Sequence, residues 1–223
     1  CIDSFNLLRK FNLDFIKIPS GEITNLPLLR HIRNFNNNII LSTGMSNVHE
    51  IKNALKILKN KNRKIILLHC NTEYPTPLDD INLNAMQILN KQFKLDVGYS
   101  DHSLGIQVPI IAASLGAKVI EKHFTISKKM VGPDHVASLN PKELISMVKA
   151  IRSTEIILGK GKKFVSKSEK KNILIARKSL FAAYDIKKGE KFSLLNLVCL
   201  RPGSGISPIN IDKVIGLKAK KTF

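Results

Sequence analysis

The sequence predicts an α/β protein in which strands and helices alternate, followed by a small domain of short strands. Five short apolar stretches rich in β-branched residues occur within the first 125 residues. Helical patterns lie between and after these stretches, and the last of them ends near Gly159. Regular alternation of strand and helix is typical of parallel β/α units.

The five predicted strands are too short to be independent helices, and several are apolar on both faces. Strands that are buried between two layers have this composition. They cover 14–20, 38–44, 64–70, 95–101 and 117–125.

Capping residues mark the ends of the predicted helices. Asn47 and Glu50 have the spacing of a capping box. In the last of these helices Asn140 can cap the amino end, with Glu143 at the third helical position. Pro141 occupies the first helical position, and Gly159 can end the helix. The predicted helices cover 47–59, 83–93, 105–116 and 140–159.

Polar side chains follow the carboxyl end of every predicted strand. Five strand ends that converge on one rim favour a TIM barrel over an open sheet, whose ligands gather at a single switch point. Because a complete (β/α)8 barrel takes about 250 residues, we expect the chain to contain the C-terminal part of one, without about three leading units. The polar residues are Lys17, Ser20, Glu22, Ser42, Thr43, Thr72, Tyr74, Ser100, His102 and His123.

The composition changes after residue 160. Lysines crowd a segment with little apolar content, which predicts a linker over 161–175. We therefore expect a partial barrel over 1–160 and a small, incomplete domain of short strands over 176–223.

The net charge of +19 raises the question of nucleic-acid binding. The lysines are scattered with little aromatic interleaving, which favours a solvated surface that attracts small anions. We expect no nucleic-acid partner. Three distant cysteines predict neither a disulfide framework nor a zinc knuckle, and indicate a cytoplasmic protein. No apolar run reaches the length of about 20 residues that a membrane span needs.

Two histidines follow neighbouring strands and should face the same barrel mouth. His102 and His123 could bind a divalent metal and leave positions open for catalysis, or they could be structural residues of the rim. Lys17 and Ser20, beside a glycine, could hold a phosphate or carboxylate; alternatively, Lys17 could form a Schiff base.

Eight segments, in order along the chain, closely resemble the N-acetylneuraminate (sialic acid) synthase family of bacterial sialic and legionaminic acid synthases. They are KIPSGE, ILSTGM, HCNTEYPTP, GYSDHSLG, EKHFT, GPDHVASL, ARKSLFAAYDIKKGE and RPGSGI. The resemblance implies a TIM barrel followed by a small antifreeze-like (SAF) domain, and a domain-swapped homodimer.

The resemblance also implies roles for particular residues. His102 and His123 match metal ligands, usually for Mn²⁺ and replaceable by Mg²⁺ or Co²⁺, and Glu22 matches a carboxylate that handles a water or hydroxyl proton. Arg201 matches an arginine that reaches the N-acetyl group in the partner's active site. Matches to phosphoenolpyruvate-binding residues are Lys17, Ser20, Ser42 and Ser100, with Thr72 where some members have asparagine; matches to sugar-binding residues are Tyr74 and Asp134.

The implied activity is the condensation of phosphoenolpyruvate with an N-acetylated hexosamine. With N-acetylmannosamine the products would be N-acetylneuraminate and phosphate. A legionaminate or pseudaminate synthase, which would use a diacetamido-trideoxyhexose, is the alternative within the family. A non-catalytic carbohydrate-binding protein is the alternative of another class.

Overall fold

The computed structural model describes residues 1–223 and divides them into two compact units. The first unit is Cys1–Lys160 and the second is Gly161–Phe223. None of the helices combines the length and the apolar composition that crossing a membrane requires.

The first unit contains a five-stranded sheet in which every neighbouring pair is parallel. The strand order is the same as the order along the chain, so each helix that lies between two strands connects neighbours in the sheet, as in a TIM barrel. The strands are β1 (Phe15–Ile18), β2 (Asn38–Ser42), β3 (Ile65–Cys70), β4 (Asp96–Asp101) and β5 (Ile120–Lys122).

Six helices belong to the first unit, and the predicted capping residues cap two of them. Asn47 and Glu50 form a capping box at one helix, and Asn140 and Glu143 form another. The helices are α1 (Ile2–Leu8), α2 (Leu26–Arg33), α3 (Val48–Leu58), α4 (Asn84–Phe93), α5 (Gln107–Ser114) and α6 (Pro141–Leu158).

The two faces of the sheet have different surroundings. Ile16, Leu41, Leu67 and Tyr99 lie on one face and belong to the buried cluster that the helices also build. Because side chains alternate along a strand, the residues between them project from the other face. That inner face carries Lys17, Ser42 and Ser100, so the alternation separates the core from the candidate site.

The second unit contains α7 (Lys167–Ala176) and the antiparallel strands β6 (Ser179–Ala182) and β7 (Leu197–Leu200). The helix corrects the prediction of a linker over 161–175. A capping box of Ser166 and Glu169 begins α7, and the Leu174 carbonyl accepts a hydrogen bond from Gly203 N at 2.8 Å. The lysine-rich composition of the segment concealed this capping signal.

Candidate active site

An ion pair joins the two outermost strands of the five-stranded sheet. Lys17 on β1 and Glu121 on β5 are at opposite edges, yet Lys17 Nζ lies 2.6 Å from Glu121 Oε1. In a flat sheet the two strands would be about 19 Å apart, farther than these side chains can span. The sheet is therefore strongly curved, and its inner face forms the concave wall of a barrel.

Glu121 also connects this ion pair to β4. Its Oε1 atom accepts a hydrogen bond from Ser100 Oγ at 2.7 Å, and the two residues are partners in the β4–β5 register. Ser100 Oγ lies 3.4 Å from His102 Nε2. Lys17, Glu121, Ser100 and His102 thus form one continuous polar chain at the carboxyl end of the sheet.

The hydrogen bonds of His102 determine its tautomer. Nδ1 donates to the Asn71 carbonyl at 2.5 Å, so the lone pair of the neutral ring is on Nε2. The single proton of the Ser100 hydroxyl goes to Glu121, which leaves that lone pair free. Burial lowers the pKa of His102 below its ordinary value, which keeps the imidazole neutral at physiological pH.

Three aromatic rings lie at the His102 end of this polar chain. Tyr74 stacks on His102 with ring centroids 4.0 Å apart, and its edge packs against His123 at 5.2 Å. The centroids of the two histidine rings are 5.4 Å apart. Asp134 Oδ2 lies 3.8 Å from His123 Nδ1. The structure therefore brings together both predicted metal ligands and both predicted sugar-contacting residues.

A second group of predicted residues converges on Gly44, just beyond β2. Gly44 N donates to Ser20 Oγ at 3.0 Å, and Ser20 Oγ lies 3.3 Å from Cys70 Sγ. A Cβ atom on Gly44 would lie 2.8 Å from Thr72 Cγ2 and 2.9 Å from Ser20 Oγ. Only glycine allows three strand ends to approach this closely. The nearby Ser42 hydroxyl is buried without a hydrogen-bond partner.

A buried ion pair lies on the opposite face of the β4–β5 strand pair. Lys122 Nζ is 2.5 Å from Asp101 Oδ2, and both side chains are almost completely buried. The second Asp101 oxygen accepts from the backbone and hydroxyl of Ser103, whose carbonyl accepts from Lys122. Asp101 directly precedes His102, and Lys122 directly precedes His123. This network therefore anchors the two strand ends that carry the histidines.

Two predicted residues make contacts of another kind. The Glu22 carboxylate accepts from Asn25 Nδ2 at 2.5 Å within its own turn. Arg201 is exposed in the second unit, where its Nε donates to the Ala176 carbonyl at 3.0 Å. No contact in the structure connects Glu22 to the polar chain around Glu121.

Sequence reasoning missed Glu121, Cys70, Asp101 and Lys122. A signal for two of them was present, because Asp101 and Lys122 each directly precede a predicted metal ligand. Glu121 lies one residue earlier, in EKHFT. Its role depends on Lys17, which is 104 residues away, and no local pattern reveals that contact.

The histidines fit a divalent metal that takes its remaining ligands from solvent and substrate. His102 presents a free Nε2 lone pair beside the ring of His123. No group of three or more histidine, cysteine, aspartate or glutamate side chains is placed to hold a metal. Two imidazoles alone would leave coordination positions for oxygen ligands.

Comparison with known families identifies both units. The NeuB family pattern matches residues 1–163. The chain belongs to the NeuB family. Its second unit contains a SAF domain, matched over residues 177–223. This NeuB-family chain therefore has the predicted architecture, part of a TIM barrel followed by a SAF domain.

The chain is similar to proteins named as synthases of legionaminic acids. It is 54% identical to the N,N'-diacetyllegionaminic acid synthase of Campylobacter jejuni, over 100% of the chain and 67% of that protein. It is 43% identical to the enzyme of the same name from Legionella pneumophila, over 96% of the chain and 61% of that protein. The chain thus spans 61–67% of the length of these relatives.

A solved structure supports the same relationship. The N-acetylneuraminic acid (sialic acid) synthetase of Leptospira borgpetersenii, crystallised with citrate, superimposes with a TM-score of 0.72. The two sequences are 38% identical, and the match covers 78% of this chain and 61% of that one.

Proposed function

We propose that this NeuB-family protein condenses phosphoenolpyruvate with a 2,4-diacetamido-trideoxyhexose to form a legionaminate-type sugar acid and phosphate. The observation that carries the proposal is the continuous chain from Lys17 through Glu121 and Ser100 to the two histidines. It unites an anion-binding group and a pair of metal-binding groups at one end of a barrel sheet, where TIM-barrel enzymes have their active sites.

Sequence similarity favours this sugar over N-acetylmannosamine. Identity to the two legionaminic acid synthases is 54% and 43%, against 38% to the sialic acid synthetase of known structure. N-acetylmannosamine, which would give N-acetylneuraminate, remains the second candidate because the Leptospira protein covers 78% of this chain.

In the proposed site, positively charged and hydroxyl groups bind phosphoenolpyruvate. The Lys17 ammonium supplies the positive charge, and the hydroxyls of Ser20, Ser42 and Ser100 supply hydrogen bonds. The buried, unpartnered hydroxyl of Ser42 is suited to this role, because a bound oxygen would satisfy it. Thr72, which approaches Gly44 and Ser20, would complete this part of the site.

His102 and His123 would hold the divalent metal, which we propose is Mn²⁺, with Mg²⁺ or Co²⁺ as substitutes. When bound, the metal would polarise the aldehyde oxygen of the open-chain sugar. Tyr74 and Asp134 lie against the same two rings and would orient the sugar beside them.

The reaction forms one carbon–carbon bond and replaces the bond between C2 and the phosphate oxygen with a bond between C2 and a water oxygen. C3 of phosphoenolpyruvate attacks the sugar aldehyde, and water adds to C2, which has become electron-poor. The tetrahedral product then loses phosphate by cleavage of the C2–O bond. We propose that Glu22, whose carboxylate is held by Asn25, accepts the proton of that water. Lys17 stabilises the negative charge on the departing phosphate.

We also propose that the functional unit is a domain-swapped homodimer. Arg201 is exposed in the SAF-containing unit, where its Nε atom donates to the Ala176 carbonyl. In this arrangement it would contact the N-acetyl group of the sugar bound to the partner.

A phosphate-release assay on the full-length protein tests the proposal. Phosphoenolpyruvate and Mn²⁺ are supplied with either 2,4-diacetamido-2,4,6-trideoxymannose or N-acetylmannosamine. We expect a higher kcat/KM with the diacetamido sugar. A higher value with N-acetylmannosamine would identify an N-acetylneuraminate synthase instead. Turnover of neither sugar by the folded, metal-loaded protein would contradict the synthase proposal and favour carbohydrate binding alone.

A further inference from the structure

We propose that Glu121 competes with phosphate for Lys17, so that this carboxylate weakens phosphate binding and promotes phosphate release. The inference rests on the proposed function in taking phosphate as the anion that Lys17 binds. It goes beyond that function because it assigns a role to Glu121: this carboxylate forms its ion pair with Lys17 again after each turnover.

The geometry gives Lys17 an internal anionic partner. Lys17 Nζ and Glu121 Oε1 are 2.6 Å apart, and this is the one ion pair that Lys17 makes. The same carboxylate oxygen accepts from Ser100 Oγ at 2.7 Å. Two groups proposed to bind phosphoenolpyruvate are therefore both engaged by a single carboxylate, and a bound phosphate must take them over.

Exchange of partners is physically easy at this position. Each side chain of the pair is 35% exposed, and ion pairs that are this accessible to water are weak. The lysine ammonium is a compact charge on a flexible stem, so it can turn from one anion to another. A phosphate dianion carries more charge than a carboxylate and can displace it.

The carboxylate cannot move far after the exchange. Glu121 is in β5, and its backbone is paired with Ser100 of β4. It would stay beside the bound phosphate, where two like charges repel each other. This repulsion and the renewed pairing with Lys17 both favour release of the product phosphate.

Isothermal titration calorimetry with inorganic phosphate tests this inference on the full-length protein. Titrations are run at constant ionic strength, once with EDTA and once with Mn²⁺. Glu121→Gln keeps the size of the side chain and removes its charge, so we expect phosphate to bind about three- to tenfold more tightly. Phosphate should inhibit turnover of this variant at correspondingly lower concentrations.

Asp96→Asn is the matched control. Asp96 forms a 3.0 Å ion pair with Lys64 at the amino end of β4, so the substitution removes the same charge from an exposed pair in the same sheet. We expect its phosphate affinity to equal that of the wild type. Lys17→Met should abolish the gain when it is combined with Glu121→Gln.

Unchanged or weaker phosphate binding by folded Glu121→Gln would overturn the inference, because Glu121 would then only orient Lys17. If the glutamine variant does not fold, Glu121→Asp decides: its shorter side chain loosens the pair, and we expect tighter phosphate binding than in the wild type. Unchanged binding by Glu121→Asp would then be the contradicting result. These titrations need no sugar and no turnover, so their outcome is independent of the substrate assay.

Discussion

The hydrogen bond from His102 Nδ1 to the Asn71 carbonyl determines what the rest of that ring can do. It fixes the tautomer, and burial lowers the pKa so that the ring stays neutral. A neutral imidazole with a free Nε2 is the form that binds a metal. One backbone carbonyl therefore prepares the residue for the role that we propose for it.

At this scale we predict that His102→Ala and His123→Ala each weaken Mn²⁺ binding by at least about tenfold and retain the fold. The reason is that we propose the two rings as the nitrogen donors of the metal site. Calorimetric Mn²⁺ titration and circular dichroism measure the two properties. His49→Ala, which removes an exposed histidine from α3, is the control. Wild-type Mn²⁺ affinity in both site variants would disprove the ligand assignment.

A single residue could be predicted only where the sequence immediately around it indicated its position in the fold. Lys17, Ser100 and His123 could be predicted because each lies at or just after the carboxyl end of an apolar strand. Glu121 could not, because its role comes from a partner on the far edge of a curved sheet. Cys70 was missed because its partner, Ser20, is likewise brought near it only by the fold.

Strands β4 and β5 are held in register by polar pairs on both faces. Ser100 pairs with Glu121 on the inner face, and Asp101 pairs with Lys122 on the face next to the helices. A slip of β5 by one residue would reverse the faces of that strand relative to β4 and break both pairs. The spacing between His102 and His123 is set by this register.

At the scale of the element we predict that Lys122→Met destabilises the fold by about 3–5 kcal/mol, because it leaves the Asp101 carboxylate buried without a counter-charge. Urea denaturation measures the change. Lys64→Met breaks the exposed pair with Asp96 at the other end of β4, and should cost less than about 1 kcal/mol. Equal effects of the two substitutions would show that burial of the Asp101 pair has no energetic consequence.

Capping signals and strand patterns predicted most of the first unit. The capping boxes of α3 and α6 were read directly from the sequence, and all five strands lie within their predicted segments. Helix α7 was missed because its lysines resemble a linker in composition, although Ser166 and Glu169 have the capping-box spacing. Composition is an average over a segment, whereas a cap depends on two residues.

Over the whole molecule, the net charge of +19 suits a protein whose proposed substrate is a small anion. A positive field raises the rate at which anions arrive and loses strength as salt is added. The same field would bind phosphate indiscriminately. Neutral pairing of Lys17 with Glu121 confines strong binding to ligands that can displace a carboxylate.

The proposed domain swap predicts how much activity mixed dimers of two variants should have. If Arg201 acts in the partner's site, a mixed dimer of His102→Ala and Arg201→Ala subunits contains one site with both substitutions and one intact site. Coexpression should then restore about a quarter of wild-type turnover, since half of randomly formed dimers are mixed. Each variant alone should be severely impaired in sugar turnover.

The outcome of this coexpression distinguishes the two arrangements. Without a swap, every site in a mixed dimer carries one substitution, and turnover should not exceed that of the better single variant. Size-exclusion chromatography with light scattering confirms that the mixed species are dimers. A monomeric wild-type protein would contradict the proposal before any activity is measured.

The ion pair between Lys17 and Glu121 has a consequence for the order in which the protein forms. The two residues are 104 positions apart, and the pair requires all five strands in their curved arrangement. Contacts between residues so distant in sequence form late in folding. On the ribosome, Lys17 emerges long before its partner does. The proposed anion-binding end of the barrel is thus among the last parts to assemble, and phosphate binding would report that β1 and β5 have both reached their places.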